Sequence, residues 1–202
     1  VQSSTVNLVK NPSFNYDSYS YSIYNTTDAY GMGYDDSVGN FGNGSLVVEK
    51  LSDYGVATAF QEFTNLPAGM YTLSAYATTL AENLTGRGMV CLQVWNNNVM
   101  EACNIAYIAK STVWERLSVS AEIGEGRSIR LVIGLDEGAV GKMWFDDVQL
   151  ESGSGATAFN LIENSGFKRS LECWTANDDT YSTYPEYVVY GQSHAARTHG
   201  YL

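Results

Sequence analysis

The sequence predicts an all-β fold, a jelly-roll β-sandwich of two antiparallel sheets, on the strength of three observations. First, no stretch of 12 or more residues repeats its apolar positions with the 3.6-residue period of a helix. Second, several segments alternate apolar and polar residues, which is the period of a half-buried strand. Third, Thr, Val, Tyr and Ser dominate these segments, and the 202 residues include 15 tyrosines, 19 glycines and only 3 prolines.

The sequence predicts about ten strands with short turns, and eight of them have clear bounds. Pro67 and Gly69 supply the turn between the second and the third, and Asn96–Asn98 turns a hairpin between the fourth and the fifth. In the eighth strand the alternation breaks near Asp146 and Asp147, which predicts a β-bulge. The strands are 44–51, 56–63, 70–80, 89–95, 99–108, 113–123, 128–135 and 142–151.

Two of these strands alternate so regularly that they predict which side faces the core. In 70–80 and in 113–123, every second residue is apolar, and most of the residues between them are polar. The expected inward residues are Tyr71, Leu73, Ala75, Ala77, Leu117, Val119, Ala121 and Ile123.

An internal repeat predicts the domain organisation. Residues 7–14 read NLVKNPSF and residues 160–167 read NLIENSGF, an offset of about 153 residues. An aromatic residue follows each copy at the same spacing, Tyr21 in the first and Trp174 in the second. We therefore predict one complete module in 1–151, a flexible linker of sequence SGSGATA in 152–158, and the incomplete start of a second copy in 159–202.

Charge and composition exclude several classes of function. The net charge of −11 disfavours binding to a phosphate backbone, which depends on Lys and Arg, so we expect no nucleic-acid partner. No window approaches 18 uninterrupted apolar residues, so we expect no membrane span. The cysteines Cys91, Cys103 and Cys173 lack the CxxC spacing of paired-cysteine zinc sites.

Four segments together resemble a known group of proteins. They are NLVKNPSF (7–14), LPAGMYTLSAYATT (66–79), VWERLSVS (113–120) and MWFDDVQLE (143–151). The chain is similar to the jelly-roll carbohydrate-binding modules related to families four, nine and twenty-two, which have a galactose-binding-like fold. More narrowly, it resembles the tandem copies of such modules in large secreted or cell-surface bacterial proteins, some of which carry YD repeats.

The resemblance implies a non-catalytic module that binds a polysaccharide or glycan, beside neighbouring modules of a larger extracellular or cell-surface bacterial protein. The alternative is a structural spacer or adhesion unit of a tandem array that binds no sugar. A hydrolase is the third hypothesis, but GxSxG, Walker-type and HExxH motifs are absent from the sequence. Both histidines, His194 and His199, fall in the incomplete copy. We therefore expect that the chain is not an enzyme.

A sugar platform needs exposed aromatic rings beside hydrogen-bonding groups, because the C–H faces of pyranoses stack on π faces. Candidates on the outward side of the middle strands are Tyr76, Gln93, Trp95 and Tyr107. A Tyr-rich early loop at a cleft edge adds Tyr30 and Tyr34. The alternative for each ring is a place in the core, which we favour for Tyr21, Trp114 and Trp144.

The resemblance also implies a structural calcium ion, which takes carboxylate and carbonyl oxygens as ligands. Asp146 and Asp147 supply the acidic position in the last strand, and Asn15 stands where the related modules usually have an acid after the early Phe. The alternative is that the two aspartates only shape the bulge.

Two of the cysteines could form a disulfide or remain free thiols. Cys91 and Cys103 are equidistant from Asn97, the centre of the predicted hairpin, so they could face each other across the strands. An exported protein would permit a disulfide between them. The alternative is two buried free thiols, which behave as small apolar groups. Cys173 has no evident partner.

Overall fold

The computed structural model describes residues 7–14, 20–26, 30–42 and 44–158, and these residues contain strands and turns but no helix. The predicted all-β class is therefore confirmed. No helix long and apolar enough to cross a bilayer occurs in this part of the chain. The described residues form eleven strands: β1 (Ser22–Asn25), β2 (Tyr30–Asp35), β3 (Ser45–Lys50), β4 (Ala57–Phe63), β5 (Gly69–Thr78), β6 (Leu84–Thr85), β7 (Gly88–Asn96), β8 (Val99–Ile108), β9 (Glu115–Ile123), β10 (Ser128–Leu135) and β11 (Val140–Ser152).

The strands form two antiparallel sheets that pack face to face as a jelly-roll sandwich, as the sequence predicts. Sheet A has the order β1–β4–β10–β7–β8. Sheet B has the order β2–β3–β11–β5–β9, and the short β6 pairs with β11. Neighbours in each sheet are mostly distant in sequence, because short connections repeatedly carry the chain from one sheet to the other.

The core lies between the inner sides of the two sheets. The inward residues predicted on β5 and β9 are buried or packed against the core, so the alternation is confirmed. They meet the inward row of β10, where Ile129, Leu131, Ile133 and Leu135 have no exposed surface. Burial of each such aliphatic side chain stabilises the fold by about 1.5–3 kcal/mol. Alternation along the strands thus places every second residue on one of two outer faces.

The early Tyr-rich segment contradicts the prediction of a loop. Residues 22–25 and 30–35 form β1 and β2, and β2 pairs with β3 along its whole length. The inward side of β2 carries Tyr30, Met32 and Tyr34, which pack against the core. The outward side carries Gly31 and Gly33, and glycine is unfavourable in strands, so the local composition resembled a loop.

The predicted domain boundaries stay a prediction, since residues 159–202 with the second repeat lie outside the described residues. The described residues from Leu8 onward belong to one compact unit. Part of the segment predicted as a flexible linker is bonded to sheet B. The Gly153 amide donates to the Met70 carbonyl (2.8 Å), and the Thr72 hydroxyl donates to the Gly153 carbonyl (2.7 Å). The segment 153–157 therefore covers part of the outer face of sheet B.

Candidate functional site

The candidate sugar-binding residues divide between the two outer faces. Gln93 and Trp95 on β7 and Tyr107 on β8 alternate with the buried residues of their strands and lie on the outer face of sheet A. Tyr76 on β5 lies on the outer face of sheet B. A single platform containing all four residues is therefore wrong, because β5 joins a different sheet from β7 and β8.

A groove with a volume of about 400 Å³ runs over the outer face of sheet A. One row of cross-strand partners spans this face from Tyr24 on β1, through Thr58, Gly134 and Met89, to Tyr107 on β8. Four strand spacings separate the ends of the row, or about 19 Å. Tyr24 is 55% exposed and Tyr107 is 40% exposed. Two tyrosines thus stand at opposite edges of a surface long enough for an oligosaccharide.

The floor of the groove is apolar although it faces away from the core. Met89, Cys91 and Val132 are buried together on this face, and Phe60 packs against them. They occupy adjacent strands in the order β4, β10 and β7. An apolar floor of this kind favours a ligand with apolar patches over an ion.

Trp95 is held in place by its polar neighbours. Its indole Nε1 donates to Oε1 of Gln93 (3.0 Å). The guanidinium carbon of Arg130 lies 4.8 Å from the centre of the Trp95 ring and 4.6 Å from that of Phe60. Arg130 also donates from Nη2 to Oε2 of Glu62 (3.1 Å). The arginine therefore bridges two aromatic rings and is itself paired with a carboxylate.

The Tyr107 edge repeats this arrangement with a second arginine. The guanidinium carbon of Arg87 lies 3.6 Å from the centre of the Tyr107 ring. Its Nε donates to Oδ2 of Asp136 at 3.0 Å. Both arginines of this face are thus charge-balanced. The face offers aromatic stacking surfaces, amide and carboxylate acceptors and guanidinium donors, which are the groups that hold a sugar.

Tyr30, Tyr34 and Tyr76 occupy other positions in the fold. Tyr30 and Tyr34 are inward-facing strand residues packed against the core, so the placement of these two rings at a loop cleft is wrong. The Tyr76 ring makes an edge contact with Phe41, at 5.6 Å between ring centres. Phe41 belongs to the connection between β2 and β3, which crosses the outer face of sheet B. Tyr76 is therefore partly covered by the chain itself.

The two aspartates predicted as metal ligands are both buried at a β-bulge of β11, which confirms the bulge. Oδ1 of Asp146 accepts from the Asp147 amide (2.7 Å) and Oδ2 from the Asn40 amide (2.7 Å). Oδ1 of Asp147 accepts from Ser13 Oγ (2.9 Å) and Oδ2 from Asn40 Nδ2 (2.9 Å). The pair thus joins β11 to the early segment and to the β2–β3 connection.

Burial and the neighbouring carboxylate of Asp147 raise the pKa of Asp146 to about 8. Burial also raises the pKa of Asp147. Two carboxylates buried side by side need a proton or a cation to compensate their charge. Their hard oxygen donors fit calcium, whereas no group of three acidic, His or Cys side chains suited to a metal occurs in the described ranges. The third proposed ligand, Asn15, lies outside the described residues.

Cys91 and Cys103 lie on the outer face of sheet A, within the groove, and Cys173 lies outside the described residues. The structure pairs Cys91 with Ile105 and Gln93 with Cys103, so the expected directly opposed register is wrong by two residues. One residue arises because Asn96 pairs with Val99, which leaves a two-residue turn, and the other from the register shift between Val94 and Trp95. The two Sγ atoms nevertheless lie 2.8 Å apart, because diagonal neighbours on one face are within reach.

Phe60 and Arg130 are two of the groove residues that were not predicted from the sequence. A signal for both was present, since each alternates with inward residues of its strand and must face outward. The local pattern does not reveal that β4, β10 and β7 are neighbours in sheet A. This strand order brings Phe60, Arg130 and Trp95 together.

No family model matches the chain. The tRNA nuclease WapA of Bacillus subtilis strain 168 is 29% identical over 154 residues, covering 67% of this chain and 6% of that protein. The tRNA(Glu)-specific nuclease WapA of Bacillus subtilis subsp. natto is 26% identical over 194 residues, covering 87% of this chain and 8% of that protein. The chain thus spans less than a tenth of these relatives.

Three solved structures share the fold. The enzymatically active domain of bacteriophage CBA120 tailspike protein 4 gives a TM-score of 0.58 at 14% identity, over 73% of this chain and 22% of that one. TmCBM61 in complex with β-1,4-galactotriose gives 0.50 at 18% identity, over 73% and 99%. The CBM22-1–GH10 modules of Clostridium thermocellum xylanase 10B, complexed with xylohexaose, give 0.52 at 17% identity, over 70% and 28%.

These comparisons confirm one expectation and correct another. The jelly-roll fold of carbohydrate-binding modules is confirmed, because such modules are structural neighbours of this chain. The expectation that the chain is not an enzyme is contradicted by the curated relatives, which are named tRNA nucleases. The chain is thus similar in fold to sugar-binding modules and in sequence to short segments of large nucleases.

Proposed function

We propose that the sandwich binds a glycan in the groove on the outer face of sheet A. The observation that carries this proposal is the cluster of Trp95, Phe60 and Arg130 around an apolar floor, with hydrogen-bonding groups at its edge. Stacking of pyranose C–H faces on the two rings supplies the apolar contact, and Gln93 and Glu62 lie where sugar hydroxyls can bond. The sugar-bound neighbours of the same fold support this assignment.

The ligand we propose is a neutral glycan. Arg87 and Arg130 are each paired with a carboxylate, so the groove has no uncompensated positive charge for a uronate or a phosphate. The net charge of −11 further repels polyanions. Neutral β-linked polysaccharides such as β-1,4-galactan and xylan are the first to test, because fold neighbours are complexed with galactotriose and xylohexaose.

We also propose the setting in which the module works. The chain is a segment of a larger secreted or cell-surface bacterial protein with neighbouring modules, and the module attaches that protein to a glycan. The named relatives suggest that the whole protein has tRNA nuclease activity, which a tRNA cleavage assay of the full-length protein tests. Within the module, Asp146 and Asp147 hold a calcium ion that compensates their buried charge.

Affinity electrophoresis of the full chain in gels containing β-1,4-galactan, xylan or polygalacturonate tests the binding proposal. Trp95→Ala should weaken retardation by a neutral polysaccharide by roughly tenfold or more, since it removes the main stacking surface. The matched control is Tyr76→Ala, another partly buried aromatic on the opposite face, which should change binding by less than about twofold.

A third variant tests the ligand class. Glu62→Gln leaves Arg130 without its carboxylate, so retardation by polygalacturonate should appear or increase severalfold while binding to a neutral glycan changes little. Loss of neutral binding in Tyr76→Ala but not in Trp95→Ala would place the site on sheet B. If the unaltered chain binds no glycan, the spacer or adhesion alternative takes the place of the binding proposal.

A further inference from the structure

Two thiols lie inside the proposed sugar groove, next to its principal ring. Cys91 is buried in the groove floor, and Cys103 is exposed on the neighbouring strand. Their Sγ atoms are 2.8 Å apart. Cys103 is the cross-strand partner of Gln93, whose side chain holds the Trp95 indole. A reaction at these sulfur atoms would therefore occur one contact away from the Trp95 ring.

The distance between the sulfur atoms indicates which chemistry this pair can perform. A disulfide bond is about 2.05 Å long, so a movement of less than about 1 Å would bring the atoms to bonding distance. Two thiolates on one tetrahedral metal ion, at about 2.3 Å from it, would stand roughly 3.8 Å apart. No third acidic, His or Cys side chain joins these two among the described residues. The geometry favours a disulfide over a metal site.

We propose that Cys91 and Cys103 form a reversible dithiol–disulfide pair whose oxidation increases the affinity of the groove for its glycan. The thiol chemistry stands on the position of the two sulfur atoms alone. Only the coupling to affinity rests on the proposed glycan-binding function.

The reaction is thiol–disulfide exchange with a small external disulfide such as glutathione disulfide. The exposed Cys103 reacts first: its thiolate attacks one sulfur of the external disulfide, forms a mixed disulfide and releases one thiol. Burial raises the pKa of the Cys91 thiol, so Cys91 does not compete for the external reagent. In the second step Cys91 Sγ bonds to Cys103 Sγ, and the second external thiol leaves with the Cys91 proton. Two protein thiols are oxidised and one external disulfide is reduced.

The cross-link would fix the part of the sheet that carries the stacking ring. It joins β7 to β8 on the groove side, within the hairpin that contains the register shift beside Trp95. β8 lies at the edge of sheet A, where β7 is its only neighbour within the described part of the sheet. Most of its residues are exposed. Restraining this hairpin lowers the entropy lost when Gln93 and Trp95 are ordered on a ligand. The oxidised groove should therefore bind more tightly.

The experiment compares the two redox states of the full chain carrying Cys173→Ser, which leaves one possible intramolecular pair. One sample is treated with glutathione disulfide and the other with a phosphine reductant, and both are denatured and alkylated. Mass spectrometry should find two fewer alkyl groups on the oxidised chain. In galactan and xylan gels, the oxidised chain should show an affinity roughly three- to tenfold higher than the reduced chain. Its thermal midpoint should rise by roughly 5–10 °C, as for a disulfide closing a loop of this size.

A Cys103→Ala variant is the control, because the exposed side chain can be removed without opening the core. Its affinity and thermal midpoint should be the same in both conditions. Equal alkylation of the treated and reduced chains would overturn the disulfide itself. A disulfide formed without a change in affinity would overturn the coupling. Retention by no gel in either state would overturn the glycan-binding function and the coupling with it, while the alkylation result would still decide the thiol chemistry.

Discussion

The two outer faces of the sandwich follow the same alternation along their strands, yet they have different surfaces. The outer face of sheet A has an apolar floor of Met89, Cys91 and Val132 under an open groove. The outer face of sheet B carries polar side chains that are nevertheless buried. They are Thr72, Ser74, Thr78, Asp146, Asp147, Gln149 and Glu151.

Burial of polar residues on an outward face has a specific cause, namely that the chain covers this face itself. The β2–β3 connection bonds to the aspartates through Asn40, and the segment after β11 bonds to Glu151 through Thr157. Polar groups suit this covering because the overlying chain offers hydrogen-bond donors, such as the Asn40 and Thr157 amides. An apolar and open face is the one left for a ligand. The difference supports the proposal that sheet A recognises a ligand, while the covering of sheet B contributes stability.

One tryptophan on each face provides the strongest test of this division. Trp144, on sheet B, is buried and donates from Nε1 to Oδ2 of Asp35 (2.8 Å). Trp144→Ala should lower the free energy of unfolding by about 3–5 kcal/mol, because it leaves a large cavity. Trp95→Ala, on the open face, should lower it by about 1 kcal/mol or less while weakening the proposed glycan binding by roughly tenfold or more. Urea denaturation of both variants measures the difference.

A reversed pattern would break the comparison. Suppose that Trp95→Ala unfolded the protein while Trp144→Ala kept the free energy of unfolding of the unaltered chain. The open face would then be part of the structural core. Trp144→Phe is the intermediate variant, since it fills most of the volume but loses the bond to Asp35. Its loss of stability should fall between the other two.

The aspartate pair sharpens the comparison through its pH dependence. The pKa of Asp146 rises from 3.8 to about 8 on folding, because of burial and the charge of Asp147. The group then contributes stability that is fully present below about pH 4 and is lost as the pH rises toward 8. Without divalent ions, the thermal midpoint should therefore fall between pH 5 and pH 8. Calcium at roughly 5 mM should restore it at pH 8 and have little effect at pH 5.

The isosteric variant Asp146→Asn is the control for both effects. It carries no charge at any pH, so the slope between pH 5 and pH 8 should flatten and the response to calcium should disappear. Differential scanning fluorimetry with and without a chelator is sufficient to measure this. A calcium response that persists in Asp146→Asn would place the ion elsewhere, and glycan binding that follows the aspartate titration would link the two faces.

The contrast between the faces also explains how far the sequence alone could predict the site. Strands β5 and β9 were predictable because each has an apolar side toward the core and a mostly polar outward side, which produces the alternation directly. Strand β2 was not predictable, because Gly31 and Gly33 occupy its outward positions and remove the polar half of the pattern. Local sequence determines which side of a strand is apolar, provided that both sides carry side chains.

The local sequence does not reveal to which of the two sheets a strand belongs. Tyr76 and Trp95 both face outward, but β5 pairs with β11 and β9 whereas β7 pairs with β10 and β8. All of these partners except β8 are distant in sequence, so no local pattern separates the two rings. The buried Lys50 is a similar case. Its Nζ donates to the Gly55 and Asp136 carbonyls, and only the folded chain brings these acceptors together.

The smallest effect we predict concerns the end of the described chain, where Thr157 is bonded to the buried Glu151. The Thr157 hydroxyl donates to Oε2 of Glu151 (3.1 Å) and accepts from Gln149 Nε2 (3.1 Å). Thr157→Val removes both bonds but leaves the amide bond to Oε1 of Glu151 (2.9 Å). The free energy of unfolding should fall by about 1 kcal/mol, and protease cleavage within 152–158 should become faster.

Thr85→Val is the matched control, since the Thr85 hydroxyl makes only one long and exposed bond, 3.3 Å to the Val140 carbonyl. It should leave stability and cleavage unchanged within error. Neither variant should affect the retardation of the chain by a glycan gel, because both act far from the groove on sheet A. If Thr157→Val weakens glycan binding as strongly as Trp95→Ala, the covering of sheet B is part of the recognition surface, and separate roles for the two faces are wrong.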